Sequence, residues 1–216
     1  MSVNKGKNIK TTRRTGTRKA LLQAAQLVFS ERSVEGVAID DIVKKAGVAK
    51  GSFYNHFKSK EELALELFTD IRAEAEEKIG RINETVADPA RRIARALSVY
   101  ALLAREDPGR GELIARLLVA DTSVSSPVYR GVVDDVSAGL KAGRLAIPTV
   151  EVGVLFILGI SQMLIRRILA EQSRQTVIML TQQLVALHLR GLGLPIAEAE
   201  TIAAQSADEI MCNRTA

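Results

Sequence analysis

The sequence predicts an all-α protein, with a small N-terminal three-helix module followed by a larger helical domain. Three observations carry this expectation. Apolar residues recur at helical spacing, as in Ile93, Leu97 and Ala101 and again in Val177, Leu180, Leu184 and Leu187. Pro89, Pro108, Pro127, Pro148 and Pro195 all fall between such segments, where proline opens a helix or stops its predecessor. No Asn-Gly or Asp-Gly hairpin signal flanks an alternating run.

Residues 1–14, rich in Lys, Asn, Thr and Gly, read as a disordered basic arm. Residues 15–59 read as the helix-turn-helix module, with helices at 17–32, 40–46 and 50–56. The larger domain occupies 60–216 and opens with a helix at 60–82, where Ser59 serves as N-cap and Glu62 as its capping-box partner. The prolines then separate helices expected at 90–105, 110–119, 127–142, 149–170, 173–191 and 196–211. There is no internal repeat.

At 216 residues and 47% hydrophobic content, the chain can bury one small module and one ordinary domain. Its single cysteine, Cys212, excludes an intramolecular disulfide or a cysteine-rich metal site and fits a reducing cytoplasm. The basic start lacks the apolar stretch of a signal peptide. The strongly apolar uncharged run Val152 to Ile165 is 14 residues, whereas a membrane span needs about 20, so it reads as a buried helix and no membrane partner is expected. Charge is segregated. Residues 1–60 carry 13 basic and 4 acidic side chains, and residues 61–216 carry 17 and 21. A basic end on a mildly acidic body is the footprint of a protein that docks one end on a polyanion.

The joint between the second and third helices, Ala46-Gly47-Val48-Ala49-Lys50, specifies a helix-turn-helix. Gly47 takes the left-handed conformation that ends a helix, Ala46 permits close approach, and Val48 fills the angle between the helices. In the third helix Phe53 and Phe57 share an anchoring face. The remaining positions present Lys50, Gly51, Ser52, Tyr54, Asn55 and His56. In a major groove Lys50 and Asn55 would reach base edges, while Ser52, Tyr54, His56, Lys58 and Lys60 would reach phosphates. The basic arm is expected on the DNA backbone, and Lys44-Lys45 reads equally as DNA contact or solvated face.

Leu21-Leu22-Gln23-Ala24-Ala25-Gln26-Leu27-Val28-Phe29, Asp41 to Val48, and Lys50 to Leu63 together resemble the signature of the tetracycline-repressor family of bacterial transcriptional regulators. The resemblance implies an operator-binding module and a ligand-sensing, dimerising helical domain. It places Lys50, Gly51, Ser52, Tyr54, Asn55, His56 and Lys60 at DNA-contacting positions, with the Tyr54 hydroxyl and Lys60 on phosphate. Four positions depart from the pattern. Val37, Ala38 and Ala49 stand where the family carries Ser or Thr before the second and third helices, and Ser33 replaces a glycine. Loss of a hydroxyl N-cap costs about 1 kcal/mol, partly offset at the second helix by Asp40 and Asp41. Operator affinity is therefore expected to rest more heavily on the arm and on Lys60.

In the larger domain, Tyr100, Arg116, Tyr129 and Gln162 are polar residues on otherwise apolar stripes, the composition of a small-molecule site. Arg116 is expected to meet a carboxylate ligand or an internal partner such as Asp121. The effector's identity is not legible. The two long C-terminal helices are apolar on more than one side, so a homodimer through both is expected, with Gly153 and Gly159 allowing close approach. The helix from Lys60 onward, if rigid, would carry a ligand-driven shift to the recognition helix. His56 and His188 lack companions at metal-ligand spacing, so no metal and no cofactor are expected, and His188 reads as a packing residue. No catalytic triad or glycine-rich phosphate loop is visible, which argues against an enzyme. RNA binding is disfavoured by the absence of an aromatic stacking platform. The sequence thus points to a ligand-responsive repressor of double-stranded operator DNA. The alternative is a constitutive DNA-binding protein whose C-terminal domain only dimerises.

Overall fold

In the computed structural model, the backbone is described over residues 5–117 and 129–212, and side chains over 15–116 and 129–212. The described residues are helical, with no strand among them. They form α1 (Lys5–Glu31), α2 (Ile39–Ala46), α3 (Lys50–Tyr54), α4 (Lys60–Asn83) and α5 (Pro89–Glu106). After these come α6 (Pro108–Leu117), α7 (Arg130–Lys141), α8 (Val150–Leu169), α9 (Arg174–Gly191), α10 (Ile196–Ala207) and a π-helical turn, Asp208–Cys212. The chain divides into two compact units, Met1–Asp70 and Ile71–Ala216, and the division falls inside α4. This is an N-terminal helix-turn-helix module followed by a larger helical domain.

Helix ends differ from the expected ones for local reasons. The backbone is helical from Lys5, not only from residue 17, while the side chains of the expected basic arm, residues 1–14, lie outside the described residues. α3 stops at Tyr54 because the Phe53 carbonyl oxygen accepts from both His56 N–H at 2.9 Å and Phe57 N–H at 3.0 Å, which tightens the turn. The expected end of the sixth helix at 119, the start of the seventh at 127, and Asp121 all lie outside the described residues.

In the first unit, Leu21, Ala24, Ala25, Val28 and Phe29 lie on one face of α1 and are buried with Ile42, Val43, Phe53, Phe57, Leu63 and Leu67. In the second unit α5 is central and packs against α6 through α10. Its Ile93, Ala94 and Leu97 join Val136, Ile157, Leu158, Val185 and Leu189 in one core. α8 is the described helix long and apolar enough to cross a membrane by length and composition. Its Val154, Ile157, Leu158, Leu164, Ile165 and Ile168 are buried inside the second unit. Thr149 caps it, accepting from Val152 N–H at 3.2 Å.

Polar pairs fasten the unit's periphery. Arg144 holds Asp88 through two 2.9 Å hydrogen bonds and Glu198 through one of 2.7 Å, joining the end of α7 to the starts of α5 and α10. Glu209 of the π-helical turn pairs with both Arg91 and Arg95. His188 is fully buried; its Nδ1 donates to the Leu184 carbonyl oxygen at 2.7 Å, and its ring meets Phe156 edge to face at 5.6 Å. Burial holds the imidazole below its ordinary pKa, as suits a neutral core residue.

Candidate DNA-contacting surface and ligand cavity

The helix-turn-helix joint is built as its residues dictate. Gly47 adopts φ +67°, and Val48 N–H donates back to the Val43 carbonyl oxygen at 3.0 Å, closing α2. Phe53 and Phe57 are buried with ring centroids 5.8 Å apart and seat α3 on the core of the first unit. That seating leaves Lys50, Gly51, Tyr54 and Asn55 exposed and Ser52 and His56 half-buried. Tyr54, at 55% exposure, is among the most exposed large side chains of the chain, although its ring lies edge-on to buried Phe53.

The missing hydroxyl caps are replaced by charge. Neither Ala38 nor Ala49 makes a side-chain cap. Instead Asp41 accepts from Ala38 N–H at 3.4 Å and is held by Arg32 at 2.9 Å, which keeps its carboxyl below the usual range. Lys60 does the rest. Its ammonium donates to the carbonyl oxygens of Glu35 and Val37, each at 2.8 Å, and so pins the loop that enters α2. Lys60, one of the expected DNA-contacting residues, is thus engaged with the protein's own backbone. Lys50 also has an internal partner: Asp40 lies 2.9 Å from its Nζ and raises its pKa. At α4 the capping pair forms. Glu62 N–H donates to Ser59 Oγ at 3.3 Å, while the Glu62 carboxylate reaches one residue further back than a standard capping box, to Lys58 N–H at 2.6 Å.

The second unit contains a cavity of about 340 Å³. α4 contributes Arg72, Glu76, Ile79 and Asn83, and α5 contributes Arg92, Ile93, Leu97 and Tyr100. Ile114 of α6, Tyr129, Val132 and Asp135 at α7, and Ile157, Leu158 and Ser161 of α8 complete the described wall. Tyr100 and Tyr129, both expected at a ligand site, lie in this lining. The Tyr100 hydroxyl donates to Glu76 Oε1 at 3.1 Å, and burial drives its pKa well up. Arg72 stacks on the Tyr129 ring, 5.9 Å from its centroid.

The other two expected ligand residues have other partners. Arg116 and Gln162 are not among the described lining residues. Arg116 Nε instead donates to Glu112 Oε1 at 2.9 Å, one turn back on its own helix, and Gln162 donates to the Ala115 carbonyl oxygen at 3.3 Å. An arginine in an apolar run is thus answered by a neighbour at i−4. Sequence reasoning missed the charged members of the wall: Arg72, Glu76, Glu84, Arg92 and Asp135. Asp135 is 6% exposed and ion-paired with Arg92 at 2.5 Å. Burial pushes its carboxyl up to about 6, against the pull of Arg92 and with help from Asp134 and Glu76. The only signal available beforehand was an acidic pair, Asp134-Asp135, in a helix that had to bury one face.

Residues 21–67 match the family model for bacterial regulatory proteins of the tetR family. The transcriptional repressor DhaR of Mycobacterium sp. (strain GP1) is 33% identical over 115 residues, 53% of this chain and 57% of that protein. The transcriptional regulator LmrA of Bacillus subtilis (strain 168) is 31% identical over 115 residues, 53% of this chain and 61% of that protein. The match thus spans less than two thirds of either relative's length. Among solved structures, RolR in complex with resorcinol aligns with TM-score 0.64 at 24% identity, covering 90% of this chain and 96% of that one. A chain from Shewanella sp. PV-4, assigned to the tetR family of transcription regulators, aligns with TM-score 0.73 at 19% identity, covering 83% and 99%. These structures share the fold: a helix-turn-helix module ahead of a larger helical domain. In its helix-turn-helix sequence and its all-helical architecture, this chain is thus similar to the tetR family of bacterial regulatory proteins.

Proposed function

We propose that the protein is a cytoplasmic, ligand-responsive repressor that binds double-stranded operator DNA and leaves it when a small molecule enters the larger domain. The observation that carries the reading is the third helix, whose apolar anchor Phe53 is buried while Lys50, Tyr54 and Asn55 stand exposed around it. Residues 15–59 are assigned to DNA recognition and 60–216 to effector binding and dimerisation. Lys50 and Asn55 are assigned to base edges, Gly51 to close backbone approach, and Ser52, Tyr54 and His56 to phosphate. Lys60 supports the surface from behind, through the loop before α2. Curated relatives named as transcriptional repressors and regulators, and a fold shared with a resorcinol-bound protein, support the same reading.

A homodimer through α8 and α9 is supported by their outward faces. Val152, Leu155 and Met163 of α8 and Met179 and Leu187 of α9 are each at least 43% exposed, and each set recurs at intervals of three, four or eight residues along one face. Gly159 sits on the α8 line with nothing within 4 Å of a Cβ built there, as a close helix crossing requires. Gly153 does not serve that purpose, because its close approach is internal, to Ile147 and Val136.

The test is an electrophoretic shift with DNA flanking the protein's own gene, followed by titration of a bound effector with and without that DNA. Linkage requires the two ligands to weaken each other by the same factor. Equal effector affinity in both titrations would select the constitutive DNA-binding alternative, and no shift with any flanking DNA would remove the operator-binding reading.

A further inference from the structure

The described charges deep in the cavity wall are matched two against two. Among the described lining residues deep in the cavity, Arg92 faces Asp135 in an ion pair at 2.5 Å, and Arg72 lies in the field of Glu76, which also holds the Tyr100 hydroxyl. Glu84 lies at the exposed rim. A ligand carboxylate would have to draw Arg92 from Asp135 and leave that carboxylate buried without its counter-charge, which is strongly unfavourable. A ligand ammonium would add a third cation to two carboxylates already matched. Both ions are therefore disfavoured by the same bookkeeping, and apart from Asn83, Ser161 and the two tyrosine hydroxyls the rest of the deep described wall is apolar.

On this ion pair two buried atoms, Asp135 Oδ1 and Arg92 Nε, take no hydrogen bond. Asp135 Oδ1 is close to Arg92 but off its hydrogen-bonding direction and takes no hydrogen bond, although the residue is 6% exposed. A buried acceptor of this kind costs free energy until a donor meets it. We infer that the cavity takes an uncharged molecule with an apolar body and a hydroxyl group, the hydroxyl donating to the Asp135 carboxylate. This rests on the reading of the larger domain as the effector-binding part and names the chemical class it selects. At about 340 Å³ the space lies at the small end of the roughly 300–1,000 Å³ range of ligand sites, which fits a compact body of one or two rings or a short chain.

The experiment uses the full-length protein without DNA and two matched probe series read by calorimetric titration. One is 2-naphthol, 2-methoxynaphthalene, 2-naphthoate and 2-naphthylmethylammonium; the other is 1-octanol, methyl octyl ether, octanoate and octylammonium. The hydroxyl member of at least one skeleton is expected to bind about tenfold or more tightly than its ether and both its ions, and Asp135→Leu is expected to abolish the gap between hydroxyl and ether. Should that variant not fold, the wild-type series alone decides. An ion that binds as tightly as the hydroxyl, a hydroxyl and ether that bind alike, or no binding by any member would each overturn the inference. The DNA question stays separate. Hydroxyl-selective binding that leaves operator affinity unchanged upholds this inference and removes the ligand-responsive reading. An operator response to a charged probe does the reverse.

Discussion

Asp135 carries a pH dependence whose sign and size follow from its surroundings. Its carboxyl moves from the ordinary 3.8 up to about 6 because burial disfavours the charged form. The folded protein therefore binds a proton here more tightly than the unfolded chain. The contribution is full below about pH 4 and is lost as pH rises through about pH 6. A shift of about two pKa units corresponds to about 3 kcal/mol at neutral pH and above. Asp135→Asn keeps the shape and cannot ionise, while Arg92, whose side chain is 37% exposed, reaches water when its partner is neutral. The variant should match wild type near pH 4 and exceed it by about 2–3 kcal/mol at pH 8. For a chain of this size that corresponds to a rise in Tm of about 4–12 °C. Urea denaturation of both proteins from pH 4 to pH 8, at one fixed protein concentration, measures the difference directly. A difference that stays flat across the range, or a wild type that gains on the variant as pH rises, would refute the reasoning.

Lys60→Ala should destabilise the folded protein by about 1.5–3 kcal/mol, the scale of hydrogen bonds from a charged donor, because it frees the Glu35 and Val37 carbonyls. Lys58→Ala, at an exposed position, should change stability by less than about 0.5 kcal/mol. Equal effects of the two in denaturant melts would place Lys60 in solvent instead. Gly193→Ala should cost more than about 2 kcal/mol, since φ is +101° and the new Cβ would lie 2.5 Å from that of Ala146. Gly143→Ala, at φ +64° with open space around it, should cost only about 1 kcal/mol, and thermal melts of the pair read strain and clash separately. Asn55→Ala should alter which bases a random-site selection recovers, by about 1–3 kcal/mol of discrimination at its position; an unchanged base preference would move Asn55 off the base edges.

Features set by residues near one another in the chain were legible in the sequence. Gly47 ends α2 in the left-handed conformation, Phe53 and Phe57 share one buried face four residues apart, and Ser59 with Glu62 opens α4. Each depends on backbone geometry over one or two helical turns, and the hydrophobic period fixes which face of each helix is buried. The segregation of basic charge at the N-terminus is likewise a property of the sequence alone.

Which polar groups meet was decided by the tertiary structure. Tyr100 finds Glu76 from 24 residues away, Lys60 finds the Val37 carbonyl from 23, and Arg144 finds Asp88 from 56. Asp135 faces Arg92 on another helix, while Arg116, the most conspicuous arginine in the sequence, is answered by Glu112 on its own. Helical periodicity assigns a side chain to a face but does not say what stands across from it. A buried charge is tolerated only with a partner, and long-range packing, which the one-dimensional pattern does not encode, selects that partner. The fold class and the helix proposed to read DNA were therefore determined by the sequence itself, while the cavity and the charges that line it exist only once five helices have come together.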